Sequence, residues 1–109
     1  MRVLNDDLFE VTTATVGTTT GLTLELTHMA GFCGQFLLTQ TAGSLVGTLQ
    51  PFGSNDKVNF TSIQATQAIS GTLNHLDNFG NVYYQYVRYV LILSGGTCSI
   101  VAKINAKGF

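Results

Sequence analysis

The sequence has little charge, one proline, no tryptophan and no long apolar run, and each shortage removes a class of protein. Charged residues make up 10% of its 109 positions, against about 25% in an ordinary soluble domain. Five Lys plus Arg meet six Asp plus Glu, giving a net charge of -1. The basic excess that neutralises a row of nucleic-acid phosphates is missing, so nucleic acid is excluded as an electrostatically held partner. Mean hydropathy is positive, at +0.28. Even so, the longest apolar run, from Tyr89 to Leu93, falls far short of the ~18 residues of a membrane helix, and no membrane partner is expected. Asp6, Asp7 and Glu10 stand where a secretory leader needs an apolar core, which predicts a chain that stays in the cytoplasm where it is made. Two cysteines are too few for a disulfide scaffold, and both are expected to be reduced. At this length there is room for one domain with one core.

What is present points to strands. Fifteen Thr and twelve Gly supply β-branched residues and turn formers. No segment sustains the apolar spacing of an amphipathic helix, whereas Leu22, Leu24 and Leu26 alternate with Thr23, Glu25 and Thr27. Similar runs recur at roughly 9–16, 34–41, 45–50, 58–63, 68–73, 82–94 and 97–105, bounded by Gly, Asn or Asp. About eight strands at this spacing predict an all-β chain, a single antiparallel, jelly-roll-like β-sandwich over 21–109. Residues 1–20 are expected to form an N-terminal arm or an edge strand.

Two hairpins are expected from turn residues. With Gly95 and Gly96 at a corner, Leu93 faces Cys98, Leu91 faces Ile100, Tyr89 faces Ala102 and Val87 faces Ile104 on one core side. A second turn near Ala42-Gly43-Ser44 sets Phe36 and Leu38 on a face with Leu45 and Leu49. The opposite sides carry Leu37, Thr39, Val46 and Thr48 in one hairpin, and in the other pair Ile92 with Ser99, Val90 with Val101 and Arg88 with Lys103, with Tyr84 and Tyr86 further along. Those second faces keep apolar residues with little charge beside them, and only three Lys and Pro51 are available to discourage sheet association. Either they pack within one monomer or an assembly covers them, and the shortage of charge favours an assembly.

Candidate chemistry is sparse. His28 and Cys33 lie five apart and Cys98 is remote, so no zinc-type spacing exists and neither metal nor cofactor is expected. His75 and Asp77 read as a loop histidine beside a turn-forming carboxylate. No nucleophile has a local signature, so the chain is not expected to be an enzyme. The dense constellation is 83–89, where alternation places Tyr84, Tyr86 and Arg88 on one face and Tyr89 in the core. Arg88 is expected to meet a carboxylate or carbonyls near Lys103.

Two stretches carry a resemblance. Residues 50–63, with Ser54-Asn55-Asp56 and the return through Phe60 to Ile63, resemble the strand, "S-N-D" turn and "W-x-x-I" return of discoidin-like, galactose-binding-like β-sandwiches. Tyr86-Val87-Arg88-Tyr89-Val90, then Gly95-Gly96 and a closing strand to Lys107, resembles their "Y-V-R-V" strand and final hairpin. The same signatures, in the same order, occur in small β-sandwich virion proteins of tailed bacteriophages. The resemblance covers roughly 45–107, and Phe60 replaces the Trp and Lys57 the usual Gly. It implies a capsid decoration, or cement, protein of the virion that forms a homo-oligomer, a trimer for preference, and binds the major capsid protein. A carbohydrate-binding module and a tail or neck accessory protein are the alternatives. Under this reading Leu4, Leu8, Phe9, Val11, Val16, Leu37, Thr39, Val46, Tyr84 and Tyr86 supply contacts between subunits. Ser54, Asp56, Phe60, Arg88, Gly95 and Gly96 hold the fold.

Overall fold

The computed structural model describes residues 3–27, 29–80, 82 and 84–108, with 3–5 described by their backbone alone. Among them are nine strands and no helix: β1 (Val3–Asp7), β2 (Thr13–Ala14), β3 (Gly17–Thr20), β4 (Leu24–Glu25), β5 (Met29–Ser54), β6 (Thr61–Ser62), β7 (Gln67–Ser70), β8 (Leu73–Phe79) and β9 (Tyr86–Gly108). The two long strands form the spine. β5 and β9 run antiparallel from the pair Met29 and Gly108 to the pair Ser54 and Tyr86, with their register slipping around 40–47. On one side of that slip, 29–40 and 98–108 are flanked by β1 and β8. On the other, 47–54 and 86–93 are flanked by β3 and β7, with β4 and β6 extending the edges.

The spine folds over at the slip, so its two halves become facing sheets. Phe36 of the first half and Tyr89 of the second meet at a ring-centroid distance of 4.5 Å, and Phe9 packs edge-on to Phe36 at 6.5 Å. Divided into eight segments in chain order, the first, eighth, third and sixth form the first sheet and the second, seventh, fourth and fifth the second. That order is a jelly roll, the two-sheet Greek-key arrangement in which sequence-distant strands lie side by side. The expected all-β sandwich class is therefore present.

Glycine makes the fold-over possible. Gly43 and Gly96 have φ of 65° and 82°, conformations that a Cβ strongly disfavours. A Cβ on Gly96 would sit 2.7 Å from the Ser44 carbonyl oxygen and 2.8 Å from Leu45 N and Cα. Neither glycine turns a hairpin. At both Ala42-Gly43-Ser44 and Gly95-Gly96 the chain changes sheets and continues, so Leu91 pairs with Leu49 and Ile100 with Leu38 rather than with each other. The face assignment survives this correction: Leu91, Leu93, Cys98, Ile100, Ala102 and Ile104 are all buried. A two-residue corner folding towards the core switches side-chain parity just as a two-residue turn does.

The core runs between the sheets and contains Leu8, Phe9, Leu38, Leu45, Leu49, Val87 and Tyr89. The described part of the first twenty residues lies along the edge of β9 as β1, β2 and β3. Four expected strands change. The run read as 68–73 breaks at Gly71, φ 81°, into β7 and the start of β8, and the runs read as 9–16, 22–27 and 58–63 retain strand pairing at Thr13–Ala14, Leu24–Glu25 and Thr61–Ser62 only.

Candidate interaction surfaces

The polar groups gathered inside the sandwich tie its sheets together. His75 and Asp77 are in β8, not in a loop, and their shared parity turns both inward. His75 Nε2 lies 2.6 Å from Asp77 Oδ1, and the Tyr89 hydroxyl donates to Asp77 Oδ2 at 2.8 Å. Asp77 and Tyr89 are buried. Burial, and then the charge of Asp77 and the bond to it, push the Tyr89 hydroxyl far above its ordinary pKa of 10, so it remains a neutral donor. The trio thus joins β8 of the first sheet to β9 in the second. Burial also raises the Tyr84 hydroxyl to about 12.

Among the described residues, no group of three or more His, Cys, Asp or Glu is placed to hold a metal ion. His28 lies outside the described residues, so its pairing with Cys33 has no geometry to report. Cys33 and Cys98 are both free. Burial, followed by the charge of Asp77, raises the Cys33 thiol; burial raises that of Cys98.

The Ser54-Asn55-Asp56 turn forms as its residue types require. Ser54 Oγ accepts from the Asp56 and Lys57 amides at 3.2 and 3.1 Å and donates to Asp56 Oδ1 at 2.8 Å. Asp56 Oδ1 also accepts from the amides of Val58 and Asn59 at 2.9 and 2.7 Å. These bonds, led by those of the Asn59 and Val58 backbones, hold the Asp56 carboxyl well below its ordinary 3.8. The left-handed residue is Lys57, φ 65°, which occupies the position where the resembled pattern carries glycine.

Arg88 is paired differently from expectation. Its guanidinium carbon stands 3.9 Å from the centre of the Phe60 ring. It is remote from Lys103 because β9 passes through the corner instead of turning back. Arg88 Nε is buried without a hydrogen-bond partner.

The outer faces separate residues that the hairpin reading had grouped. On the first sheet, Leu37 lies opposite Val101, Leu76 opposite Gln35, and Thr39 opposite Ser99. Leu37, Leu76 and Val101 are between 40% and 55% exposed and form an apolar strip. Lys103 shares that face and is bonded to Asp7 at 2.5 Å. On the second sheet, Thr48 lies opposite Ile92, flanked by Thr18 and Ala68, while Gln50 lies opposite Val90. Val46 and Ile92 are 46% and 48% exposed. Leu37 and Thr39 therefore lie on the opposite side of the molecule from Val46 and Thr48, because the spine folds between them.

Other predicted contacts move as well. Leu8 and Phe9 belong to the monomer core, since the chain between β1 and β2 dips between the sheets. Val11 and Val16 are exposed, and the Leu4 side chain lies outside the described residues. Tyr84 precedes β9 and meets Phe32 edge-on at 6.4 Å, packed against the core. Tyr86 instead lies outside, with Lys57 Nζ 5.9 Å from its ring centre. The two tyrosines thus form no common stacking platform. Leu76 and Val58 are exposed apolar residues outside the predicted contacts; for Leu76, strand alternation through Asn74-His75-Leu76-Asp77 is the signal in the sequence.

No family model and no curated protein matches the chain. Its fold is similar to that of the SPBc2 prophage-derived protein YomS, with a TM-score of 0.67 at 9% identity over 97% of this chain and 94% of that one. It is also similar to a chain in the structure of infectious bursal disease virus. The Gt strain gives a TM-score of 0.63 at 11% identity, covering 96% of this chain and 31% of that one. The Gx strain gives 0.59 at 10% identity, covering 96% and 32%. This chain spans about a third of the length of the viral chains. At such identities the likeness is one of fold.

Proposed function

We propose that the chain is a structural protein of a tailed-bacteriophage virion, a capsid decoration protein that associates with copies of itself and with the major capsid protein. The observation that carries this reading is the placement of exposed apolar side chains on both outer faces of a sandwich with few charges. Strips of this kind suit contact with other protein surfaces. The fold shared with a prophage-derived protein and with a chain from a virus supports a viral setting.

The mechanism is mechanical. Each copy would bury an outer face across a joint between shell subunits, and many small contacts acting together would resist separation more strongly than one. No catalytic step or cofactor is part of this role. The polar trio serves the fold: Tyr89 is buried and Asp77 accepts bonds on both oxygens.

The test has two parts: quantitative mass spectrometry of gradient-purified particles of the encoding phage, and co-sedimentation of purified chain with emptied shells. The expected result is many copies per particle and saturable pelleting with shells. Absence from the particles together with no pelleting overturns the proposal.

A further inference from the structure

The chain after the Ser54-Asn55-Asp56 turn crosses the outer face of the second sheet and sets two cations on aromatic rings. Lys57 Nζ lies 5.9 Å from the centre of the Tyr86 ring, and the Arg88 guanidinium carbon lies 3.9 Å from that of Phe60. Tyr86 and Arg88 are two apart in β9 and share its outward side. Val58, between Lys57 and Phe60 in sequence, is the most exposed of the large apolar residues among those described, at 78%.

Neither cation has a carboxylate partner. The ion pairs among the described residues are His75 with Asp77 and Lys103 with Asp7. Two carboxylates stand near this end of the sheet, and both are engaged elsewhere. Asp56 accepts at Oδ1 from the Ser54 hydroxyl and the Val58 and Asn59 amides, and at Oδ2 from Asn59 Nδ2 at 2.7 Å. Glu25, in register with Tyr86, accepts from Thr27 Oγ1 at 2.9 Å. Arg88 Nε is buried with no acceptor, and among the described residues no acceptor bonds its two Nη atoms either. A half-buried guanidinium left this way has lost part of its hydration without gaining an anion.

We infer that this end of the second sheet docks an acidic segment of another protein, with a carboxylate of that segment against the Arg88 guanidinium and Lys57 beside it. The Phe60 ring covers one face of the guanidinium and holds its plane, so less side-chain freedom is lost when a carboxylate arrives. The two Nη groups present parallel donors that match the two oxygens of a carboxylate. Val58 offers the segment an apolar contact beside the charge, an arrangement that suits a peptide better than a bare phosphate. A polyanion such as nucleic acid meets a chain of net charge -1 and finds no general attraction. Arg and Tyr are also the residue types that carry much of the energy in protein interfaces. The site rests on the decoration reading only for the identity of the partner, which that reading makes the major capsid protein.

NMR titration of the isotopically labelled full chain with an acetylated hexaglutamate peptide, in phosphate-free buffer, tests the site in wild type, Arg88→Gln and Lys103→Gln. Circular dichroism confirms that each variant is folded. Lys103→Gln removes the same charge from the other sheet, so it separates the site from the overall charge. The expected result is a saturable shift of the Arg88 Nε–H signal with hexaglutamate and none with hexaglutamine. The dissociation constant should be at least about tenfold higher in Arg88→Gln and unchanged in Lys103→Gln. No shift of the Arg88 signal in wild type, or equal affinity in wild type and Arg88→Gln, overturns the inference. So does an Arg88 signal that moves with inorganic phosphate and not with the peptide. Shell pelleting is scored separately. A wild type that pellets but fails the peptide test defeats this inference and leaves the decoration role intact, whereas one that binds the peptide through Arg88 without pelleting defeats the role and leaves the site intact.

Discussion

The two sheets share one spine and one core, yet they use polar groups differently. The first carries charge outside, in Asp7 and Lys103, and a carboxylate inside, in Asp77. The second has a Thr-rich outside whose charges, Arg88 and Glu25, lie towards one end, and it receives its polar tie from the Asp77 of the other sheet. The core between them makes both sheets necessary to the fold, so the difference in their outer surfaces bears on contact with other molecules.

The sharpest way to break the comparison is to remove the corner that sets the sheets face to face. Gly96→Val introduces a β-branched side chain at φ 82° and drives its Cβ into Ser44 and Leu45. It should cost about 3 kcal/mol or more, read as a lowered urea midpoint or as failure to fold. A near-neutral Gly96→Val would mean that the corner is not held as described.

Next comes the tie between the sheets. Tyr89→Phe keeps the ring packed on Phe36 and leaves Asp77 Oδ2 without its donor. The expected loss is about 1–3 kcal/mol in the same measurement, well above the ±0.5 kcal/mol typical of surface changes.

A smaller effect comes from the turn that leaves the second sheet. Because the folded Asp56 carboxyl titrates below its ordinary 3.8, its contribution is present above about pH 4 and fades as the pH falls below that value. Asp56→Asn should therefore lower stability at neutral pH and narrow its gap to wild type on acidification. Denaturant titrations at neutral and acidic pH check this, and a constant gap would contradict it.

The smallest effect is expected at the ion pair on the first sheet's outside. Both partners are more than half exposed, so Lys103→Ala should change stability by no more than about 0.5 kcal/mol in low salt, and by less in high salt.

Much of the fold was legible because alternation alone decides which side of a strand is buried. Leu91, Leu93, Cys98, Ile100, Ala102 and Ile104 entered the core as their spacing indicated. Their partners were not legible: Gly95-Gly96 has the composition of a hairpin turn, and whether the chain reverses or changes sheets depends on what lies opposite, here Gly43 and Ser44. The same ambiguity put Leu37 and Val46 on one face when the fold-over sets them on opposite sides. Leu8 and Phe9 were drawn to the outside because the polar residues around them resemble an arm, while their burial depends on how the segment crosses the end of the sandwich. Ser54 and Asp56 were readable because a turn closed by neighbouring side chains is local. Arg88 was not, since Phe60 reaches it only through the fold.

The central claim is that the exposed apolar residues on the outer faces of the sandwich meet other protein surfaces. Hydroxyl-radical footprinting of the purified chain, free and bound to emptied shells, tests it most directly. The account predicts that Leu37, Leu76 and Val101, or Val46 and Ile92, lose reactivity on binding. Binding with no change in either set would contradict it.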